Sequence, residues 1–383
     1  MQRTVKKHAL ILLLACAVAV LSPSAVPRQS DPSAPAARWT EQAANDWYAQ
    51  QPWLVGSNFL PSYAANELEM WQADTFNPTR IDEELGWAEG LGMNTMRVFL
   101  HDLLWKQDPD GFKKRIDTFL GIAAKHRIKP LFVLFDSCWD PNPKLGPQPA
   151  PRPGIHNSRW LQSPGAAALE DSKEYPRLEQ YVEGVIGAFS NDDRVLGWDI
   201  WNEPDNLNGS SYRDQPKKIE LVLALLPKTF AWARSAHPRQ PLTSGIWHED
   251  PSRPDTLSPM AKRQLSLSDV ISFHDYDKPA MFQREVEWLQ SFHRPLLCTE
   301  YMARPRGSTF ESILPVAKKL KVGVINWGFV AGKSQTYLPW DSWQRPYTDR
   351  EPNVWFHDIF HADGKPYRPA EIAFIRKMTG ESH

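Results

Sequence analysis

Cysteine is scarce in this sequence, with only Cys16, Cys138 and Cys298 among 383 residues. So few cysteines exclude a disulfide-stabilised scaffold and leave no C-x-x-C pattern for a zinc site. Cys138 and Cys298 fall at predicted strands on opposite sides of the fold. We therefore expect two buried, unpaired thiols that pack as apolar groups, and a stability that comes from the core.

The chain also lacks an excess of charge of either sign. Its 44 Lys and Arg residues nearly balance 45 Asp and Glu residues, for a formal net charge of −1. That balance gives no field to recruit nucleic acid or an anionic membrane, so a neutral substrate is favoured. No Gly-rich G-x-G-x-x-G or Walker loop follows the first predicted strand, and no internal repeat is found. No cofactor is therefore expected, and a solenoid or propeller is disfavoured.

One apolar run lies near the start of the chain. Residues 1–25 combine a basic start with the apolar run 9–21 and small residues at the end, the pattern of a secretory signal peptide. This predicts export to the periplasm or the extracellular space. An uncleaved anchor and a lipoprotein with a lipidated Cys16, in the lipobox-like LLAC, remain alternatives. Residues 26–38, rich in Pro, Ser and Ala, are predicted to form a linker.

The remainder, residues 39–383, alternates short apolar runs with amphipathic stretches, which is typical of βα units around a parallel sheet. The eight predicted strands are 54–59, 94–100, 129–135, 195–200, 242–245, 270–274, 295–300 and 322–327. Seven stretches are predicted as helices: 79–91, 111–126, 175–189, 216–236, 281–292, 308–320 and 369–378. Eight such units predict a single (β/α)8 barrel domain, although a doubly wound open sheet has the same alternation.

Aromatic residues are concentrated in two long connections. Residues 136–172 are rich in Pro and contain Trp139, and residues 334–358 hold several more Trp and Tyr. In a barrel these segments would rise from the C-terminal face, where active sites lie. The chain has 17 Trp residues, and indole rings around a polar cleft pack on the C–H faces of sugars. We therefore expect a carbohydrate substrate.

Two strands end in a carboxylate. The strand 195–200 continues into Asn202-Glu203-Pro204, and the strand 295–300 ends at Glu300. Barrel strands present catalytic groups at this end. Hydrolysis of a glycoside needs one carboxylic acid to protonate the departing oxygen and one carboxylate at the anomeric carbon. We predict that Glu203 and Glu300 form this catalytic pair, and the resemblance described next implies that Glu203 is the general acid/base and Glu300 the nucleophile.

These segments carry a family resemblance. "WDIWNEP" followed by "LLCTEY" resembles the acid/base and nucleophile strands of the clan of retaining glycoside hydrolases that includes family 5, the cellulase and mannanase family. The match spans residues 54–327. Further positions typical of the clan follow one another along the chain in the same order as in its members. They are Arg97 in "NTMRVFL", Asn202, His274 and Tyr276 in "SFHDYD", and Trp327 in "INWGF". The resemblance implies a retaining β-glycosidase acting on a β-linked oligo- or polysaccharide.

The resemblance also implies roles around the two carboxylates. Arg97 would keep Glu300 ionised through a charge-assisted hydrogen bond, and Tyr276 would orient it. His274 would line the site beside Glu203. The charge on Glu300 would raise the pKa of Glu203, so that it can donate a proton.

The resemblance also implies contacts with the substrate, and at one position this chain departs from the family pattern. Asn202 would bond the sugar 2-hydroxyl and Trp327 would form a platform under the sugar. Family 5 members commonly have a His at the end of strand three, whereas this chain has Asp136 there. We expect Asp136 and Trp139 to contact substrate, and His101 to occupy the vacated space. The departure indicates a divergent branch.

Other classes of function remain open. A catalytically silent carbohydrate-binding barrel or a transglycosylase would use the same aromatic cleft. A divalent-metal hydrolase is less favoured: residues 247–250 and 274–275 supply ligand-type side chains, but the paired carboxylates then have no purpose. No metal site is predicted.

Overall fold

The structure, a computed structural model, describes residues 37–209, 211–250 and 253–380. Eight parallel strands form one sheet in the order β5-β4-β3-β2-β1-β8-β7-β6. They are β1 (Val55–Asn58), β2 (Thr95–Phe99), β3 (Lys129–Asp136), β4 (Gly197–Asn202), β5 (Leu242–Thr243), β6 (Ile271–His274), β7 (Leu296–Glu300) and β8 (Gly323–Asn326). All eight predicted strands are present, with bounds shifted by a few residues.

Closure of the sheet distinguishes a barrel from an open sheet. β1 pairs with both β2 and β8, so the first and last strands are neighbours. The two ends of the strand order, β5 and β6, meet through a parallel bridge between Ile246 and Phe273, and His274 N donates to Ile246 O at 2.9 Å. The prediction of a (β/α)8 barrel is confirmed, and the open sheet is excluded.

Helices surround the barrel. They are α1 (Glu41–Ala49), α2 (Glu67–Trp71), α3 (Pro78–Glu89), α4 (Asp102–Gln107), α5 (Pro109–Lys125), α6 (Ala166–Glu170), α7 (Tyr175–Phe189), α8 (Lys218–Ser235), α9 (Pro259–Leu267), α10 (Pro279–Leu289), α11 (Phe310–Leu320) and α12 (Pro369–Thr379). The seven predicted helices correspond to α3, α5, α7, α8, α10, α11 and α12. The prediction missed five shorter helices, of five to nine residues, which are α1, α2, α4, α6 and α9.

Helix α5 shows how the local sequence starts a helix and gives it one buried face. Asp108 accepts a hydrogen bond from Gly111 N at 2.9 Å, and Pro109 occupies the first helical position, where its missing N–H costs nothing. Its buried residues recur every three or four positions, which are Phe112, Ile116, Phe119, Leu120 and Ala123. That stripe packs on the barrel wall.

The N-terminal end of the barrel is closed by a helix. Ala44 of α1 packs in a buried cluster with residues from or next to six strands, which are Leu54, Leu131, Leu196, Val270, Leu297 and Ile325. Trp39 and Trp47 pack against the same cluster. With this end closed, the strand ends that carry Asn202 and Glu300 form the open mouth.

The predicted signal peptide and most of the predicted linker lie outside the described residues. Arg38, at the end of that linker, already belongs to the barrel: Nε donates to Ser268 O at 2.8 Å and Nη2 to Leu265 O at 2.9 Å. Among the helices of residues 37–380 that the structure describes, none is long and apolar enough to cross a membrane.

A buried ion pair fastens the loops after β7 and β8. Arg304 is paired with Glu371 of α12 through two hydrogen bonds of 2.8 and 2.7 Å. The same guanidinium donates to the carbonyl oxygens of Trp355, His357 and Asp358. Every N–H group of the Arg304 guanidinium therefore donates to a buried carbonyl oxygen or to the buried carboxylate of Glu371.

We expect Arg304→Met to lower the free energy of unfolding by about 3–5 kcal/mol, because the buried charge of Glu371 would keep only the 3.4 Å contact with the half-exposed Arg368. Urea unfolding followed by circular dichroism measures this. Arg306→Met is the matched control: its side chain is 49% exposed, against 2% for Arg304, and it should change stability by less than about 0.5 kcal/mol. Equal effects of the two substitutions would contradict this account.

Candidate active site

A cavity of about 560 Å³ opens at the C-terminal ends of the strands. Glu203 follows β4 directly, and its positive φ of 41° turns the chain away from the sheet before Pro204. Glu300 is the last residue of β7. Seven of the ten predicted site residues line the cavity, which are Trp139, Asn202, Glu203, His274, Tyr276, Glu300 and Trp327.

The two carboxylates face each other. One oxygen of Glu203, one oxygen of Glu300 and a ring nitrogen of His274 all lie within 4.8 Å of one another. Both acids are buried, with Glu203 9% and Glu300 5% exposed. The barrel thus brings together two side chains that are 97 positions apart in the chain.

Beneath the cavity, Arg97 is fully buried and connects several strands. Its guanidinium donates to Glu300 Oε1 at 2.8 Å and to Asn202 Oδ1 at 2.7 Å. Two further donations, of 3.0 and 2.8 Å, reach Asp199 Oδ2. Sequence reasoning missed Asp199, although a charged residue inside the apolar strand β4 is a signal that such a partner was needed.

Tyr276 and His274 complete the surroundings of the pair. The Tyr276 hydroxyl donates to Glu300 Oε2 at 2.7 Å. His274 Nδ1 lies 2.9 Å from Glu203 Oε1 and 3.5 Å from Glu300 Oε2. Burial lowers the pKa of His274 to about 4, so the ring is neutral near pH 7 and can share one proton with Glu203.

Glu203 has two further neighbours that the sequence did not reveal. Asn206 Nδ2 donates to Glu203 Oε2 at 2.6 Å, and Cys138 Sγ donates to the same oxygen at 3.2 Å. The expectation of two inert apolar thiols is therefore wrong for Cys138, although both cysteines are free and buried. Burial raises the pKa of the Cys138 thiol, which keeps it protonated and able to donate.

Burial raises the pKa of both carboxyl groups. For Glu203 the hydrogen bonds from Asn206 and Cys138 oppose the rise. For Glu300 the repulsion from Glu203 adds to the rise, while the Arg97 charge and the hydrogen bond from Tyr276 oppose it. Glu300 has the stronger ion-pairing environment, because the Arg97 guanidinium contacts it directly. Glu300 is therefore the carboxylate better stabilised in the ionised form.

An aromatic wall borders the carboxylates. The Trp327 ring meets Trp160 at a centroid distance of 5.4 Å and Phe99 at 6.0 Å, both nearly edge-on. Trp160 Nε1 donates to Asp136 Oδ2 at 2.6 Å. The ring of Trp327 is thus fixed in place, with part of it facing the cavity.

Two predicted substrate contacts are corrected by the structure. Asp136 does not line the cavity; its oxygens accept from Trp160 Nε1, Cys138 N and Asn202 Nδ2, so it positions other side chains. His101 does not line the cavity either. It is fully buried and its Nδ1 accepts from Leu103 N at 3.2 Å, at the start of α4.

Several cavity residues were not predicted as substrate contacts, and they come from the loops after β3, β4, β5, β6 and β8. They include His156, Asn208, Trp247, His248, Glu249, Asp275 and Trp340. Among them Asp275 is notable, because burial raises its pKa to about 7 and its carboxyl pairs with Glu285. The sequence marked residues 247–250 and 274–275 only as ligand-type side chains of the metal-hydrolase alternative, and no motif marks His156 or Asn208.

Comparison with known proteins rests on structure alone. No protein-family model matches the chain, and no curated protein matches it. Among solved structures, a GH5_18 from Streptomyces cattleya in complex with GlcNAc has a TM-score of 0.55 and 12% identity, over 86% of this chain and 81% of that one. An endo-β-1,4-mannanase from Thermotoga petrophila has a TM-score of 0.54 and 14% identity, over 88% and 79%.

A third similar structure is an exo-β-1,4-mannosidase from Opitutaceae bacterium strain TAV5, with a TM-score of 0.55 and 17% identity. That match covers 85% of this chain and 60% of the longer protein. The chain has the barrel fold of these glycoside hydrolases. At such identities the similarity establishes the fold, and the chemistry must be argued from the side chains.

The residues of the metal-hydrolase alternative do not converge. His248 is exposed, with Nε2 3.7 Å from Asp205 Oδ2 and 4.0 Å from Glu249 Oε1. Within the described part of the chain, the one group of three ligand-type side chains close enough for an ion is Glu203, His274 and Glu300. In that group the Arg97 guanidinium lies 2.8 Å from Glu300 and provides the positive charge that a metal ion would otherwise bring.

We expect Tyr276→Phe to raise the pKa of Glu300, because the ionised carboxylate loses a hydrogen bond that contributes about 1.5–3 kcal/mol and water replaces only part of it. If Glu300 must be ionised for activity, the acidic limb of the pH profile of kcat/KM shifts to higher pH. Tyr48→Phe, far from the mouth on α1, is the control. An unshifted acidic limb in Tyr276→Phe would refute the assignment.

Proposed function

We propose that this protein is a retaining β-glycosidase that hydrolyses a β-linked oligo- or polysaccharide by double displacement. One observation carries the proposal: buried carboxylates at the ends of β4 and β7 have oxygens within 4.8 Å of one another. Retaining enzymes place the two carboxyl groups about 5–5.5 Å apart, whereas inverting enzymes need about 6.5–9.5 Å to admit a water.

In the first step, Glu300 attacks the anomeric carbon and the bond to the leaving oxygen breaks. Glu203 gives its proton to that oxygen. A raised pKa suits this role, because the acid must still hold its proton at working pH. Asn202, which lines the cavity beside Glu203, would bond the sugar 2-hydroxyl as the oxocarbenium character develops.

In the second step, water displaces Glu300 from the anomeric carbon. The charge of Glu300 is absent from the glycosyl-enzyme, so the pKa of Glu203 falls and the residue accepts a proton from water. Arg97 and Tyr276 then stabilise the returning carboxylate through their contacts of 2.8 and 2.7 Å. Two inversions at one carbon restore the β configuration.

The aromatic lining supports a carbohydrate substrate. Trp139, Trp160, Trp247, Trp327 and Trp340 all line the cavity, together with Asn and carboxyl groups that can bond hydroxyls. The similar structures include a complex with Manβ1-4GlcNAc and a β-glucosidase. β-Mannosides and β-glucosides therefore head the panel of substrates to be tested.

The test compares Glu203→Ala and Glu300→Ala on aryl β-glycosides. Glu300→Ala should abolish cleavage of every substrate. Glu203→Ala should lose about 10²–10⁴-fold in kcat/KM on p-nitrophenyl glycosides, but dinitrophenyl glycosides, whose leaving group needs no proton, should give a burst as glycosyl-enzyme accumulates. Glu287→Ala, an exposed acid on α10, is the control.

Two results would contradict the proposal. A folded wild-type protein that binds glycans but cleaves none would favour the silent carbohydrate-binding module. Loss of activity with a chelator would favour the metal hydrolase. Nuclear magnetic resonance of the first product, which should be the β anomer, separates retention from inversion, and added alcohol acceptors measure transglycosylation.

We further propose export, on the sequence of residues 1–25 alone. Expression of the full chain in a Gram-negative host, followed by N-terminal sequencing of the product, should give a start within residues 22–27. Labelling with a fatty acid that is abolished by Cys16→Ala would favour the lipoprotein instead.

A further inference from the structure

We propose that the enzyme acts only at chain ends, removing single sugars from the non-reducing terminus of a β-linked glycan. This inference rests on the proposed function. It follows from how two long loops divide the mouth of the barrel into a closed side and an open side.

The closed side is formed by two segments that we call the cover, residues 137–165 after β3 and residues 331–358 after β8. They are about 180 positions apart in the chain, yet they share hydrogen bonds of 2.7–3.0 Å. These are Asn157 N to Ser334 O, Gly154 N to Gln335 Oε1, Tyr347 N to Gly154 O, and His156 Nδ1 to Leu338 O.

Aromatic rings reinforce the cover. Trp139 stacks on Trp343 with centroids 5.3 Å apart and an angle of 13° between planes. Tyr212 packs edge-on against Trp343 at 5.3 Å, and the Arg152 guanidinium lies 5.5 Å from the centroids of both Tyr212 and Trp343. Rings held by several partners do not move aside without losing those contacts.

The cover crosses the ends of β1 and β2, because these strands lie between β8 and β3 in the barrel. The chain after β1 is joined to both parts of it. Lys333 N donates to Ser62 O at 3.0 Å, and Asn66 Nδ2 donates to Arg159 O at 3.0 Å. The space over these two strand ends is thus occupied by protein.

The cavities show the same division. Among the described residues, none from β1, from β2 or from the loops directly after these two strands lines the main cavity. Asn58, Phe59 and Leu60 instead border a separate cavity of about 20 Å³ behind Trp160 and Trp327. That volume holds a water molecule at most, so no sugar ring can continue past Trp327 in this direction.

The open side lies next to Glu203. The loops after β4 and β5 border it with Asn206, Asn208, Trp247 and His248, and the loop after β6 adds Asp277. The leaving group must lie here, because Glu203 delivers the proton to its oxygen. The sugar whose anomeric carbon meets Glu300 therefore lies under the cover, with its non-reducing end towards the closed side. We infer that this side accepts one ring, while the leaving group on the other side can be long.

The test uses p-nitrophenyl β-D-glucoside and β-D-mannoside with the corresponding β-1,4-biosides and borohydride-reduced pentaoses, or the same set for whichever sugar the aryl panel selects. We expect immediate p-nitrophenol from a monoside. From a bioside a monosaccharide should appear first and p-nitrophenol only after a lag. The reduced pentaose should shorten by one sugar at a time.

Two outcomes overturn the inference, and they differ in what they say of the proposed function. Immediate p-nitrophenol from the bioside, or di- and trisaccharides from the pentaose, with activity abolished by Glu300→Ala, would refute action at chain ends and leave the glycosidase intact. No cleavage of any glycoside would refute the proposed function and this inference with it.

A variant tests whether the cover is the barrier. Trp343→Ala removes the ring shared by Trp139 and Tyr212, so immediate release from the bioside, relative to the monoside, should rise by about tenfold, the effect of removing one obstructing apolar contact. Trp288→Ala, on α10 outside the barrel, is the matched control. An unchanged ratio in a folded Trp343→Ala protein would contradict the role of the cover.

Discussion

The guanidinium of Arg97 is the interaction on which the arrangement of the site depends. A buried cation is costly unless every donor is matched, and here donors reach Asn58, Asp199, Asn202 and Glu300, on three different strands. These hydrogen bonds can all form only if β1, β4 and β7 keep their positions relative to one another along the barrel axis. One side chain therefore links closure of the barrel to the orientation of the nucleophile.

The two carboxyl groups share one cavity but differ in their surroundings. Glu300 contacts a permanent cation and a phenol, whereas Glu203 contacts an amide, a thiol and a neutral imidazole. Burial raises the pKa of both, and only the groups around them separate an ionised base from a protonated acid. Apart from Asn206, these neighbours lie far away in sequence, so the chemical roles are assigned mainly by tertiary contacts.

The mouth of the barrel is asymmetric, because different loops border its two sides. Loops after β3 and β8 meet over β1 and β2, while loops after β4, β5 and β6 leave an opening. The strands supply the reactive groups, and the loops decide which part of a glycan can approach them. That separation lets one scaffold serve many substrates.

The sequence by itself determined the eight strands, because strands buried on both faces appear as continuous apolar runs, and it located Glu203 and Glu300 at two strand ends. It could not identify Cys138 and Asn206 as partners of Glu203, nor show that Asp136 positions other side chains instead of facing the cavity. The contacts of Cys138 with Glu203 and of Trp160 with Asp136 join segments whose distance is fixed only when the barrel closes, and Asn206 reaches Glu203 only through the conformation of the loop that both share. Local pattern encodes which residues form a strand, and tertiary packing decides which side chains meet.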